Sequence, residues 1–364
     1  MRKILIIVLV LILAGAGVMY IKPSGVSQPD KPTIKIGVIL PLTGDNAEVG
    51  ENIRNIIQLY VKENAHKYDL NYDIIVEDDA FQTRNVATLA HKLVKADKVN
   101  GLITILAYAG LVASSITKDK VPHLNIATNT DGADGVYNFV NYTPLPAIQN
   151  KLSQLLKAKN VKTLALVAMN HVGPQTYDKH IKNAFRENDV VYKEYNFNPN
   201  ERDFRLVIQE IKRSNPDMIM LMALPPTLDI WGKQIIEAEV NIPLTSVAFF
   251  SMSNYKEVFE GQVYIDGPDG TPSFVKKVND NLHTDNLFLL AFAEDSIKIF
   301  MDITNDFYQK NGRVPTNAEI ALMIKELKDF TGEVGTYSMG EDGVAQSKAV
   351  LKKIIDRKAV IIEE

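Results

Sequence analysis

The stretch Ile34-Lys-Ile-Gly-Val-Ile-Leu-Pro-Leu-Thr-Gly44 decides the fold. Residues 34–40 are a short, largely apolar run, the pattern of a strand inside a parallel sheet. Pro41 follows, and Val49, Ile53, Ile56, Ile57 and Tyr60 then recur at helical spacing. Asp45 and Glu48 form a capping-box pair at the start of that helix.

The same alternation runs outward from this stretch. Strand patterns at 72–76, 101–106 and 121–126 are separated by a helical stripe of Val86, Leu89, Ala90, Leu93 and Val94 and by a small-residue helix over 111–116. The rhythm restarts after Pro144 and Pro146. Strands at 163–168, 190–195, 218–224 and 244–250 alternate with helices that carry Leu152, Tyr177, Ile208 and Trp231. The last third breaks the pattern, with one long helix from Phe288 to Phe307, a second through Ile320 and Leu327, and a β-like end. Two runs of alternating elements predict an α/β fold of two doubly wound parallel-sheet lobes.

Bulk composition agrees. A chain of 364 residues with 46% hydrophobic residues has room for two cores. Forty basic against 44 acidic residues give a net charge of −4, which argues against a nucleic-acid partner. There is no cysteine, so disulfides, thiolate nucleophiles, Cys-based zinc sites and a lipidated cysteine are all excluded. The six histidines show no metal-ligand spacing, and no segment reads as a cofactor site. No G-x-S-x-G elbow, H-E-x-x-H, P-loop or G-x-G-x-x-G is present, so the expectation is a protein that is not an enzyme.

Arg2 and Lys3 precede an uncharged run over 4–21. Residues 1–21 read either as an export signal, with Ala14-Gly15-Ala16 as the cleavage region, or as an uncut membrane anchor. Both place the body outside the cytoplasm, beyond a Pro- and Ser-bearing linker over 22–32.

In doubly wound sheets, ligands bind beyond the carboxyl ends of the strands. That rule selects loops 43–47, 79–82, 107–110 and 127–130 in the first run. In the second it selects 170–174, 224–227 and 249–253, so Asn46 and Leu224 join the candidates.

The order of these segments resembles the periplasmic solute-binding proteins of the branched-chain amino acid type, fold type I. The resemblance rests on the opening stretch with Gly50, on Val76-Glu-Asp-Asp79, on Val121-Pro122 ahead of Ala127-Thr128-Asn129, on Asn215-Pro216-Asp217, and on Thr331-Gly332 through Gly343. It implies three crossings between lobes, with 33–143 plus 268–333 in the first lobe and 144–267 plus 334–364 in the second. It implies a hinged cleft that closes on a small molecule and an ATP-driven (ABC) permease as membrane partner. The alternative is a ligand-sensing receptor module that signals through a membrane partner. The sequence sets no oligomeric state.

Thr128 stands at the position that the resemblance gives to a carboxylate-binding threonine, with Ala127 and Asn129 beside it. Ala107-Tyr108-Ala109 takes the place of the expected carboxylate-binding serine loop. His171-Val172 takes the place of an aromatic-glycine pair. Phe249-Phe250 replaces the acidic or glycine-rich loop that would meet an ammonium, with Asp131 or Asp134 as substitutes for the missing acid. The expected ligand is a carboxylate less polar than a free α-amino acid. The resemblance also gives Asp295 a structural role, holding a loop, and the helical stripe puts Trp231 in the core.

Overall fold

The structure is a computed structural model that describes residues 31–363 apart from Asp45, Asp285, Asn286 and Phe288. The segment 1–21 expected to be a signal or an anchor, most of the linker, the Asp45 half of the capping box and Phe288 lie outside the described residues. No described helix is long and apolar enough to cross a membrane.

The first sheet is built from β1 (Thr33–Leu40), β2 (Asn71–Asp78), β3 (Gly101–Ile105), β4 (His123–Ile126) and β5 (Asn138–Val140). All pairs are parallel, in the order β2-β1-β3-β4-β5. Helices α1 (Ala47–Asn64), α2 (Thr83–Lys92) and α3 (Leu106–Thr117) connect them. Ile36, Val38 and Leu40 are fully buried in β1. Each such side chain contributes about 1.5–3 kcal/mol by leaving water.

The second run begins with α4 (Leu145–Ala158), then β6 (Thr163–Met169), α5 (Val172–Glu187), β7 (Val191–Phe197), α6 (Arg205–Ser214), β8 (Met218–Met222), α7 (Thr227–Glu237), β9 (Leu244–Thr245) and the short turn α8 (Phe249–Met252). Its parallel sheet has the order β7-β6-β8-β9. Both sheets therefore reverse direction beside their first strand, the arrangement that opens a crevice at the strand ends. The chain ends with β10 (Val263–Asp266), α9 (Pro272–Leu282), α10 (Leu290–Asn311), α11 (Asn317–Lys325), the hairpin β11 (Phe330–Gly332) and β12 (Gly335–Tyr337), and the pair β13 (Val350–Ile355) and β14 (Lys358–Glu363).

Two large cores carry the packing, with a smaller cluster around Val86, Leu93 and Ala113 beside the first sheet. The first core draws on residues between Ile34 and Tyr142 and returns with Phe274, Phe300, Phe330, Val334, Val344 and Ala345. The second contains Leu145 to Ile265 and returns with Ala349, Leu351 and Ile354. The apolar residues of 334–345 therefore pack with the first core, and those of 349–354 with the second. Asp295, fully buried in α10, accepts from the backbone amides of Glu333 (2.6 Å) and Val334 (3.2 Å). That is the structural anchoring role expected of it. Trp231 lies in the second core, stacked on Phe204 with ring centroids 4.3 Å apart.

Several elements differ from the sequence expectation, and two of the differences bear on the cleft. The run at 244–250 is strand only at Leu244–Thr245 and then turns, because Ala248 takes φ 63, ψ −31 and starts α8. The run at 101–106 stops at Ile105, and Leu106 already opens α3.

All three crossings meet in a buried polar knot. Tyr142, ahead of the first crossing, donates to Asp266 at the second (3.0 Å). Lys352, just past the third, reaches Asp266 (3.0 Å) and Asp269 (2.5 Å). Lys352, Asp266 and Asp269 are all buried.

Candidate functional site

The carboxyl ends of both sheets face one cleft of about 630 Å³ of empty space, part of it open to solvent. From the first lobe, Asn46, Phe81, Leu106, Ala107, Tyr108, Ile126, Ala127, Thr128 and Tyr142 line it, each at a strand's carboxyl end or in the loop or helix start that follows. The second lobe supplies His171, Val172, Gly173, Tyr177, Leu224, Ala248, Phe249 and Met252. Leu289, at the start of α10, completes the wall. Among the described residues no Asp, Glu, Lys or Arg lines this cleft.

The backbone marks the same place. Ala80, Phe81, Leu106, Ala248 and Leu289 are the apolar described residues with positive φ. All but Ala80 line the cleft. A bulky or β-carbon-bearing residue in that region is strained, and such strain gathers at functional sites.

Local hydrogen bonds fix the first-lobe wall. Asp78 accepts from the amides of Leu42 and Ala80 (both 2.8 Å) and from the Thr43 hydroxyl (2.7 Å), tying the loop after β1 to the loop after β2. Its neighbour Asp79 points the other way, fully buried, and accepts from the Phe81 amide and the Tyr108 hydroxyl, both at 2.8 Å. Burial raises the Asp79 carboxyl above its usual range, against the pull of the Tyr108 bond. Tyr108 is thereby oriented, and Phe81 meets its ring edge-on at 5.0 Å between centroids.

Helix α3 has no side-chain cap. The amides of its first turn, those of Ala107 and Tyr108 included, have no partner within the helix, and they carry the positive end of its dipole. Thr128 lines the same cleft, as does Tyr177 of the second lobe. A contact between the lobes joins the Asn129 amide to the Thr176 hydroxyl at 3.4 Å. On the far wall, His171 caps α5, its Nδ1 accepting from the Gly173 amide at 3.1 Å. Burial lowers its imidazole below the ordinary histidine range. Phe249 packs edge-on against Tyr177 at 5.7 Å.

Of the candidates named from sequence, Asn46, Ala107, Tyr108, Ala127, Thr128, His171, Val172, Leu224 and Phe249 line the cleft. Three do not. Ala109 is one turn into α3 and points into the first lobe. Phe250 is buried in the second core, stacked on Phe259 at 4.2 Å, because the α8 turn sends successive side chains apart. Asn129 borders an adjoining groove with Thr130 and Asp131. Neither Asp131 nor Asp134 enters the cleft, and Asp134 is occupied by the amides of residues 136–138.

Sequence reading missed Leu106, Ile126, Tyr142, Tyr177, Ala248 and Leu289 as cleft residues. Tyr177 was visible only as a member of an apolar helical stripe. Its position on the first turns of α5, on the side of Val172 and Gly173, is what brings it to the site.

Comparison with known proteins agrees with this geometry. The periplasmic binding protein family matches residues 33–276, well over half of the chain. The Leu/Ile/Val-binding protein BraC3 of Rhizobium johnstonii is 21% identical over 341 residues, covering 87% of this chain and 90% of that protein. The leucine-binding protein LivK of Thermotoga maritima superposes with a TM-score of 0.80 at 18% identity, over 90% of this chain and 97% of that one. A solute-binding protein of an ABC transporter from Rhodopseudomonas palustris, solved with 3,4-dihydroxybenzoic acid, superposes with a TM-score of 0.77 at 20% identity, over 91% and 96% of the two chains. The two parallel sheets, the cleft at their carboxyl ends and the match over 33–276 establish that the chain belongs to the periplasmic binding protein family.

Proposed function

We propose that this protein works outside the cytoplasm as the solute-binding component of an ABC-type importer. It closes on a small carboxylate with an aromatic or aliphatic body, delivers it to a membrane permease and performs no chemistry on it. The observation that carries the ligand class is the composition of the cleft wall. Buried ammonium groups need an ionic or hydrogen-bonding partner, and no acidic side chain lines the cleft among the described residues. A carboxylate needs donors. The first-turn amides of α3 and the Thr128 hydroxyl supply them without a cation. Phe81, Tyr108, Phe249 and Met252 offer apolar contact for the rest of the molecule.

The similar proteins span both ligand types. BraC3 is described as a Leu/Ile/Val-binding protein, and the Rhodopseudomonas protein holds an aromatic acid. Lobe membership follows the cores, with 33–143 plus 268–345 in one lobe and 144–267 plus 349–363 in the other. A thermal-shift screen followed by calorimetry tests the reading. Benzoate-class and short aliphatic acids are expected to raise the melting temperature, while leucine, isoleucine and valine leave it unchanged. At a ligand concentration of 100 Kd the stabilisation is about 2.7 kcal/mol. Micromolar binding of leucine, about −8 kcal/mol, sinks the carboxylate-only reading.

A further inference from the structure

The second lobe presents few polar groups to the cleft. Its polar side chains there are His171 and Tyr177. Tyr177 is itself buried and packs edge-on against Phe249 at 5.7 Å. The remaining second-lobe wall is Val172, Gly173, Leu224, Ala248, Phe249 and Met252.

His171 is the less buried of the two polar side chains, and its own hydrogen bonding sets what it offers. Nδ1 accepts from the Gly173 amide, so in the neutral ring the proton sits on Nε2. Nε2 has no partner among the described residues, and the ring borders the cleft. An imidazole in this state is a fixed, uncharged donor. A carboxylate is already served by the first lobe, where the α3 amides and Thr128 lie. A neutral donor on the opposite wall is matched by a neutral acceptor.

We infer that His171 Nε2–H is the group by which the second lobe reads the ligand, and that the ligand is a monocarboxylate bearing an uncharged oxygen acceptor away from its carboxylate. Carbonyl, ether and phenolic oxygens qualify. The inference rests on the carboxylate reading above and adds a second requirement to it.

Matched pairs test it: 3- and 4-methoxybenzoate against the corresponding methylbenzoates, and 4-oxopentanoate against pentanoate. Affinities are measured by calorimetry on the wild-type protein and on His171→Phe. The ratio within each pair is the readout, which cancels any general loss from the missing helix cap. In at least one pair the oxygen-bearing acid is expected to bind roughly tenfold tighter to the wild type, the scale of one neutral hydrogen bond. His171→Phe should bring that ratio to about one while still binding the plain acid.

Equal affinities within every wild-type pair overturn the inference and leave the carboxylate reading standing. So does a preference that survives His171→Phe, or a variant that loses plain and substituted acids alike. If no acid binds, the carboxylate reading falls, and the inference falls with it.

Discussion

Thr128 and Tyr108 hold different places in the same wall, and their substitutions should separate binding from stability. Thr128→Val keeps the shape and removes a donor to the carboxylate. A hydrogen bond to a charged group contributes about 1.5–3 kcal/mol, so affinity for the acid should fall tenfold or more, with an unchanged melting temperature of the free protein. Tyr108→Phe deprives buried Asp79 of its 2.8 Å donor. The cost should be about 1–3 kcal/mol of stability, read as a lower urea midpoint at an unchanged m-value. At this scale the sequence was legible where a residue sits at a strand end, as for Thr128 and His171. It was not legible where a backbone torsion decides direction. Phe249 and Phe250 are adjacent, chemically identical and both packed in the second core, yet the turn opened by Ala248 lets only Phe249 border the cleft.

Helix α1 leans on the loop at the end of the stretch 34–44. A β-carbon on Gly50 would lie 2.0 Å from the Pro41 carbonyl oxygen. Gly50→Ala must push the helix off that loop and should destabilise by roughly 1–3 kcal/mol, as overpacking does, measurable by chemical denaturation. Strand β4 carries a different liability. His123 is buried between Thr104 (2.7 Å) and Asn138 (3.1 Å), and burial holds its imidazole down at about 4. The unfolded ring protonates near 6.5, so this group contributes stability above that pH and loses it as pH falls towards 4, roughly 3 kcal/mol in all. Asp295 and Glu294, raised to about 7 by burial, shift the other way and lose their contribution as pH rises. The clean measurement is the stability difference between wild type and His123→Gln, which should shrink by roughly 2–3 kcal/mol between pH 7 and pH 4.5. Elements were readable from sequence wherever apolar spacing was unbroken, as in β1, β8 and α10. Short strands such as β5 and β9 were lost or overdrawn, because three or fewer residues carry no period.

The two lobes were visible from the restart of alternation at Pro144 and Pro146. The packing of residues 334–345 with the first core was not, because it depends on Asp295 gripping the amides of Glu333 and Val334 from a distant helix. The knot that joins the crossings predicts a severe phenotype. Lys352→Met leaves Asp266 and Asp269 without their buried cation and should cost about 3–5 kcal/mol, seen as a large drop in melting temperature. The uncharged cleft has a further consequence, for kinetics and salt. The chain carries a net charge of −4, and among the described residues no charged side chain lines the cleft to draw an anion in from a distance. An approaching carboxylate meets a weakly repulsive field, which counterions screen within about 10 Å at 0.1 M salt. Added salt should therefore quicken capture of the acid in stopped flow, whereas an electrostatically steered site slows.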